Sequence, residues 1–290
     1  MSRLKLAPLV PYDEAIREIP EDRFVEVQGQ SVYVHDQGAG PAIVLLHGFA
    51  STAHSFRELF GPLSHDFRLL AIDLNGFGYT QRPRRSKSYR IEAQADLIVE
   101  ILKRKGINEV VMLGHSYGSA VSAVLAVRHP EIVKKVILIS PPSEFAEKPP
   151  WYVRNGIGIR AAYFMIRALL SHPEKFRELS AKAVYVEGVL TEEISEIYRR
   201  SMLIEGLKKA CFGYAKAFGG KGADSIRYED VAQPVLIIAG EEDAVVSAKS
   251  CKDVAEKVSE GSLVMLPACG HCPPEERPGE VVAAISDFLR

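Results

Sequence analysis

"VVMLGHSYGSAVSAVLA", residues 110–126, decides the fold. An apolar run leads into Gly114-His115-Ser116-Tyr117-Gly118, and a stretch of small and apolar residues follows. The run before Gly114 has the Val-rich, uninterrupted character of a strand buried on both faces. The residues after Gly118 suit a helix that stops at Pro130. A serine at the tip of so tight a strand-to-helix turn has its hydroxyl pushed out of the sheet. Glycine two before and two after lets the turn close. The helix also aims its positive end at the same spot, favouring developing negative charge. The bare five-residue pattern arises by chance in roughly one chain of this length in ten, so its placement between strand and helix carries the weight. A serine in an ordinary turn is the competing reading.

Outward from this point, short apolar runs repeat the strand character: 42–48, 67–73, 109–114, 135–140, 234–240 and 262–267. Two alternating runs, 24–28 and 31–36, predict an antiparallel hairpin joined at Gly29-Gln30. Amphipathic or small-residue stretches at 90–106, 117–130, 247–261 and 279–290 predict helices between and after the strands. The expected fold class is α/β, a mostly parallel sheet with helices on both faces. The alternation breaks from about Ser143 to Ala232, where helical patterns run without a strand. The expected organisation is a core of residues 1–142 and 233–290 with an inserted helical cap, 143–232; an extension of the outer helical layer is the plainer alternative.

Composition sets the outer limits. The chain has 290 residues, 47% hydrophobic and 25% charged, ordinary for a globular protein large enough to need no staples. Its 36 basic and 37 acidic residues give a formal net charge of −1, which argues against a nucleic-acid partner. Four cysteines are too few for a disulfide scaffold. No run reaches the roughly 18 apolar residues of a membrane span, and the N-terminal apolar run falls short of a secretory signal. A cytoplasmic location with no membrane partner is the expectation.

A serine nucleophile needs a base, and the base an orienting acid. His271 is the one histidine in the last third of the chain, in the loop after the last strand. Asp243 follows the run 234–240, where a strand's carboxyl end would present it to the same rim. Glu241, Glu242 and Glu144 are rival acids. For the oxyanion, the backbone N–H groups of Phe49 and Tyr117 are the candidates, beside Gly48 and at the start of the helix after Ser116. His47 and His115 read as packing histidines, and Asp73 as a loop organiser. Trp151, Tyr163 and Phe164, with the aromatic stretch 211–218, are candidate substrate-pocket residues, though any one of them could equally pack the cap onto the sheet.

Cys269-Gly270-His271-Cys272 also has the spacing of a dithiol or zinc centre. Two prolines follow Cys272, which bars the continuing helix of a thioredoxin-type dithiol. Zinc would need two more ligands, and Cys211 and Cys251 stand alone. The cysteines are expected to pack the loop, with no metal and no cofactor; a redox-switching disulfide between Cys269 and Cys272 is the sharper alternative.

Together, "LLHGFASTAHSFRELFGPLSHDFRLLAIDLNGFGYTQRP", "GHSYGS", "GEEDAVV" and "GHCPPEERP" resemble the α/β-hydrolase superfamily, in its capped branch of esterases, carbon–carbon bond hydrolases and epoxide hydrolases. The resemblance runs from about residue 24 to the C-terminus and is weak across the cap. It implies an acyl-enzyme mechanism on Ser116, His271 and Asp243. Epoxide hydrolases carry aspartate where Ser116 stands, and Ala50 replaces their usual proline. Carbon–carbon hydrolases typically have Asn in place of His115. The expectation is therefore a carboxylesterase for small to medium hydrophobic esters, the substrate being the expected partner and a homodimer an open arrangement. A carbon–carbon hydrolase of a vinylogous diketone acid is the alternative, and a non-enzymatic ligand receptor a third reading.

Overall fold

Ala42–Leu46 forms strand β3, and all five of its residues are buried. Successive side chains of a strand point to opposite faces, and here the alternation is legible in the two cores. Val44 and Leu46 join one hydrophobic cluster, Ile43 and Leu45 the other. A strand covered on both sides can keep no polar residue, which is why this run reads as continuous apolar sequence. The computed structural model describes residues 6–143, 156–219 and 227–290.

The remaining strands are β1 (Phe24–Val27), β2 (Gln30–Gln37), β4 (Arg68–Ile72), β5 (Val110–His115), β6 (Val133–Ile139), β7 (Val235–Gly240) and β8 (Gly261–Leu266). They assemble into an eight-stranded sheet of order β1–β2–β4–β3–β5–β6–β7–β8. Pairing is antiparallel between β1 and β2 and between β2 and β4, and parallel from β4 to β8. The mixed α/β architecture expected from the alternating pattern is therefore the one observed. One local register differs: the hairpin turns at Gln28-Gly29, not Gly29-Gln30. A two-residue hairpin turn of this hand needs φ above zero at both positions, and they have φ of 52° and 75°.

Helices α2 (Arg57–Leu63) and α11 (Pro278–Leu289) cover one face through Leu59, Phe60, Val281 and Ile285. Helices α3 (Ile91–Arg104), α4 (Tyr117–Arg128) and α9 (Ala248–Lys257) cover the other. A short α1 (Tyr12–Ala15) precedes the sheet. Between β6 and β7 lie α5 (Gly156–Leu170), α6 (Pro173–Ala181), α7 (Glu192–Met202) and α8 (Leu207–Gly219). They carry an apolar cluster of their own, built on Tyr163, Leu170, Phe176, Tyr198, Leu203 and Leu207. The N-terminal segment also packs against this inserted region. Val10 donates to Leu203 O at 2.9 Å, and Glu205 N donates to Val10 O at 2.8 Å.

Helix α4 lies unusually close to β3. A Cβ placed on Gly118 would strike the carbonyls of Leu46 and His47, and one on Gly114 would strike the backbone of Gly118 and Ser119. By contrast, Gly61 in α2 has nothing within 4 Å of its missing Cβ. Gly118→Ala is expected to destabilise the protein by about 1–3 kcal/mol. Gly61→Ala should stabilise it by roughly 0.5–1 kcal/mol, the helix-interior cost of glycine. Urea unfolding of the two variants beside the parent measures both; equal midpoints would refute the close contact.

Candidate active site

Ser116 bridges β5 and α4 with φ 51° and ψ −113°, a conformation a side chain rarely tolerates. Such strain costs on the order of 1–3 kcal/mol and persists only where its surroundings hold it. Three bonds do so. Ser116 N donates to Ile139 O at 2.8 Å, and the Ser119 hydroxyl shares its one proton between Gly114 O at 2.7 Å and Ile139 O at 3.1 Å. The turn is thereby tied to the end of the neighbouring strand.

Asp243 lies in the loop after β7 and His271 in the loop after β8, so both stand at the carboxyl rim of the sheet with Ser116. The His271 Nδ1 meets Asp243 Oδ2 at 2.8 Å. The other Asp243 oxygen accepts from the amides of Val245 and Val246, both at 2.8 Å. Burial alone would raise this carboxyl; His271 and the two amides outweigh it and hold it below the usual range. An ionised Asp243 makes Nδ1 the protonated nitrogen and leaves Nε2 with its lone pair. Glu241 and Glu242 have exposed side chains, and their amides bind Leu266 O and Cys269 O. Glu144 lies outside the described residues.

The backbone of His271 and of its neighbours is held by His115, read from the sequence as a packing histidine, and by Ala183 and Glu276, which the sequence reading did not single out. The His271 amide donates to Ala183 O at 2.9 Å, and its carbonyl lies 2.6 Å from the His115 Nε2, which donates to it. The rings of His115 and His271 are 4.9 Å apart. Buried Glu276 accepts from the amides of Gly270 and Cys272, which flank the histidine, both at 2.9 Å. It also accepts from Tyr185 and Val186 at 2.7 and 3.0 Å. One carboxylate thus joins the histidine loop to the segment between α6 and α7. The only sequence hint was an acid five residues after the histidine.

Opposite Ser116 runs the loop after β3. A Cβ on Gly48 would sit 3.3 Å from Ser116 Cβ, so the backbone leading into Phe49 passes directly over the serine. Tyr117 opens α4 directly after the serine. His47 is fully buried; Leu74 N donates to its Nε2 at 3.0 Å and its Nδ1 donates to Gly48 O at 2.7 Å. Both ring nitrogens are thus committed to shaping this loop. Asp73 accepts from Ala53 N at 2.6 Å and Tyr79 N at 2.8 Å, an organising role in the adjoining loops.

An aromatic wall adjoins the serine. The ring of Phe49, 52% exposed, lies 4.9 Å from Phe77, 5.1 Å from Tyr214 and 6.2 Å from Tyr117. Tyr214 comes from α8, within the stretch 211–218 picked out for its aromatic surface; Phe77 was not anticipated. Tyr163 sits in the apolar cluster of the inserted helices, and its hydroxyl accepts from Arg167 at 3.0 Å. Phe164 is 54% exposed beside it. Trp151 lies outside the described residues.

All four cysteines are free. Burial pushes the Cys269 thiol up to about 12 and Cys272 well above its usual value, with neighbouring carboxylates adding to it. A catalytic dithiol needs the opposite shift. Helix α10 (Pro273–Glu276) does follow Cys272, but it starts on Pro273, a first-turn residue that needs no amide partner. Among the described residues no group of three or more His, Cys, Asp or Glu side chains could hold a metal ion, and no helix is long and apolar enough to cross a membrane.

A family model described as alpha/beta hydrolase fold matches residues 41–157. The uncharacterized hydrolase YugF of Bacillus subtilis (strain 168) is 30% identical over 275 residues, covering 93% of this chain and 98% of its own. A pimeloyl-acyl-carrier-protein methyl ester esterase of Nitrosospira multiformis is 28% identical over 267 residues, 90% and 98% of the two chains. Among solved structures, a meta-cleavage product hydrolase from Pseudomonas fluorescens superposes with a TM-score of 0.74 at 22% identity, over 92% and 96% of the chains.

Burial, with the neighbouring His271, pushes His115 down to about 3. Histidine NMR should therefore show no titration of His115 between about pH 8 and pH 5. The unfolded chain takes up that proton below about pH 6.5 and the folded chain does not. This contribution is present above that pH and is lost as pH falls toward 3, by up to about 1.4 kcal/mol per unit. His115→Asn should flatten the acid limb of a Tm-against-pH curve; an unchanged limb would contradict the assignment.

Proposed function

This chain belongs to the α/β-hydrolase family, and from that premise we propose that it is a serine hydrolase cleaving carboxylic esters of small to medium hydrophobic substrates. The observation that carries the proposal is the His271–Asp243 bond at the same sheet rim as the strained turn of Ser116. In the proposed reaction Ser116 Oγ attacks the ester carbonyl while His271 Nε2 takes its proton. Asp243 keeps the imidazole in the required tautomer and stabilises its cation. The amides of Phe49 and Tyr117 receive the oxyanion, within reach of the positive end of α4. The protonated His271 then gives its proton to the departing alcohol. A water, deprotonated by the same nitrogen, releases the acid from the serine.

Residues 143–232 act in this reading as a cap over the sheet rim. The rings of Phe49, Phe77, Tyr117 and Tyr214 favour an apolar acyl or aryl group over a charged one. A carbon–carbon hydrolase of a diketone acid would need a cation for the substrate carboxylate. Of the described arginines in residues 143–232, Arg160 and Arg177 are exposed without an ion pair among the described residues, and the other four spend their polar contacts on the protein. Arg167 binds Tyr163 and Ala7; Arg199 and Arg200 bind Glu196; Arg227 binds Glu229 and Asp230. The relative named for methyl ester hydrolysis supports the ester reading.

Ser116→Ala is expected to abolish turnover of p-nitrophenyl esters without altering the circular dichroism spectrum. Asp243→Asn should lower kcat by about 10⁴. A chain-length panel of these esters, run beside a ring-cleavage product, tests the substrate class. Turnover of the latter alone would overturn the ester assignment, and near-parental activity of Ser116→Ala would overturn the mechanism.

A further inference from the structure

A cavity of about 940 Å³ opens between the β1–β2 turn, the segment 81–85, helix α3 and the start of α8. None of Ser116, Asp243 and His271 lines it. Its walls are polar, and two independent observations mark them as deficient in negative charge.

The first is Arg82, only 6% exposed. Its Nη1 donates to Gly78 O at 2.9 Å and Thr80 O at 3.3 Å, and its Nη2 to Ser201 O at 2.6 Å. No carboxylate makes an ion pair with it among the described residues, and its buried Nε has no hydrogen-bond partner. A guanidinium taken out of water without a counter-ion costs several kcal/mol. Burial accordingly drags its pKa down to about 10, against an upward pull from Asp73, whose oxygens serve the amides of Ala53 and Tyr79.

The second is the mouth of the cavity. Arg84, Arg85 and Lys209 are exposed there and unpaired among the described residues. Two of the lining acids are already neutralised, Glu100 by Lys103 and Asp96 by Arg128, both at 2.9 Å. Glu205 is the remaining unpaired acid. Four unpaired cations against one acid leave an excess of three positive charges around one concavity.

We propose that this cavity binds the phosphate group of a small-molecule ligand. A phosphate brings up to two negative charges and several acceptor oxygens, which suits guanidinium forks and an ammonium set around one opening. Arg84, Arg85 and Lys209 hold the group at the mouth, with Arg82 behind them as a fixed positive charge in the wall. The site joins the sheet to the inserted helices, because Arg82 reaches Ser201 and Lys209 lies on α8.

Isothermal titration of the full chain with pyrophosphate, inorganic phosphate and glycerol phosphate, each against sodium chloride at matched ionic strength, tests this. Saturable one-to-one binding is expected, weakened at least about tenfold (about 1.4 kcal/mol) in Arg84→Ala/Arg85→Ala/Lys209→Ala. That variant should keep the parent's Tm and its ester turnover. Lys209→Glu alone should weaken binding as well, at a single exposed position. Tighter binding of glycerol phosphate than of inorganic phosphate would assign an ester ligand; the reverse would assign free phosphate. Heats no larger than those of the chloride control, or affinities unchanged in both variants, would overturn the proposal.

Discussion

The contact on which the site depends is the approach of the first turn of α4 to the carbonyl end of β3. Leu46 and His47 present their carbonyls where a side chain at 118 would have to stand. With α4 pressed that close, the chain has one residue in which to turn from strand to helix, and Ser116 absorbs the reversal at φ 51°. Strain of this kind is not relieved locally. It is held by bonds from Ser116 N and the Ser119 hydroxyl to the end of β6, and by the packing of α4 into the larger core. Stability supplied by the whole sheet is concentrated at one hydroxyl.

The histidine loop is governed differently, by hydrogen bonds instead of sterics. Glu276 gathers four amides, two from the histidine loop and two from the segment between α6 and α7. Next to it, Glu275 accepts from Arg57 at 2.6 Å and from the Tyr198 hydroxyl at 2.8 Å, which ties α10 to α2 and to α7. The loop that carries His271 is therefore hydrogen-bonded to the inserted segment. Those helices connect to the histidine loop directly through Ala183 O and indirectly, through the Glu276 carboxylate, from Tyr185 and Val186.

Burial also sorts the titratable groups. His47 and His115 are driven toward the neutral form, and the buried thiols are kept protonated. His271, by contrast, has a carboxylate at 2.8 Å from its Nδ1, whereas the nearest carboxylate to His47 is Asp73 at 3.9 Å. Elsewhere the same physics leaves Arg82 charged in the interior with carbonyl partners alone. One environment gives a histidine a carboxylate partner and the other leaves a guanidinium without one.

The sequence by itself determined the sheet, the presence of the hairpin though not its register, and the turn at Ser116, because those follow from short-range rules. Two-faced burial writes unbroken apolar runs, and a glycine two before and two after the serine marks a turn with no room for side chains. It also put Asp243 and His271 after successive strands, so that a parallel sheet carries both to one rim. Only the tertiary structure decided what holds them there. His115 and the His271 carbonyl are 156 residues apart in the chain, and Arg57 and Glu275 are 218 apart. No periodicity encodes such pairings, since they exist only once the sheet closes. The same holds for Tyr163, whose aromatic ring suits a pocket or a core equally well in sequence. Its neighbours in space, and not its type, placed it in the cluster of the inserted helices.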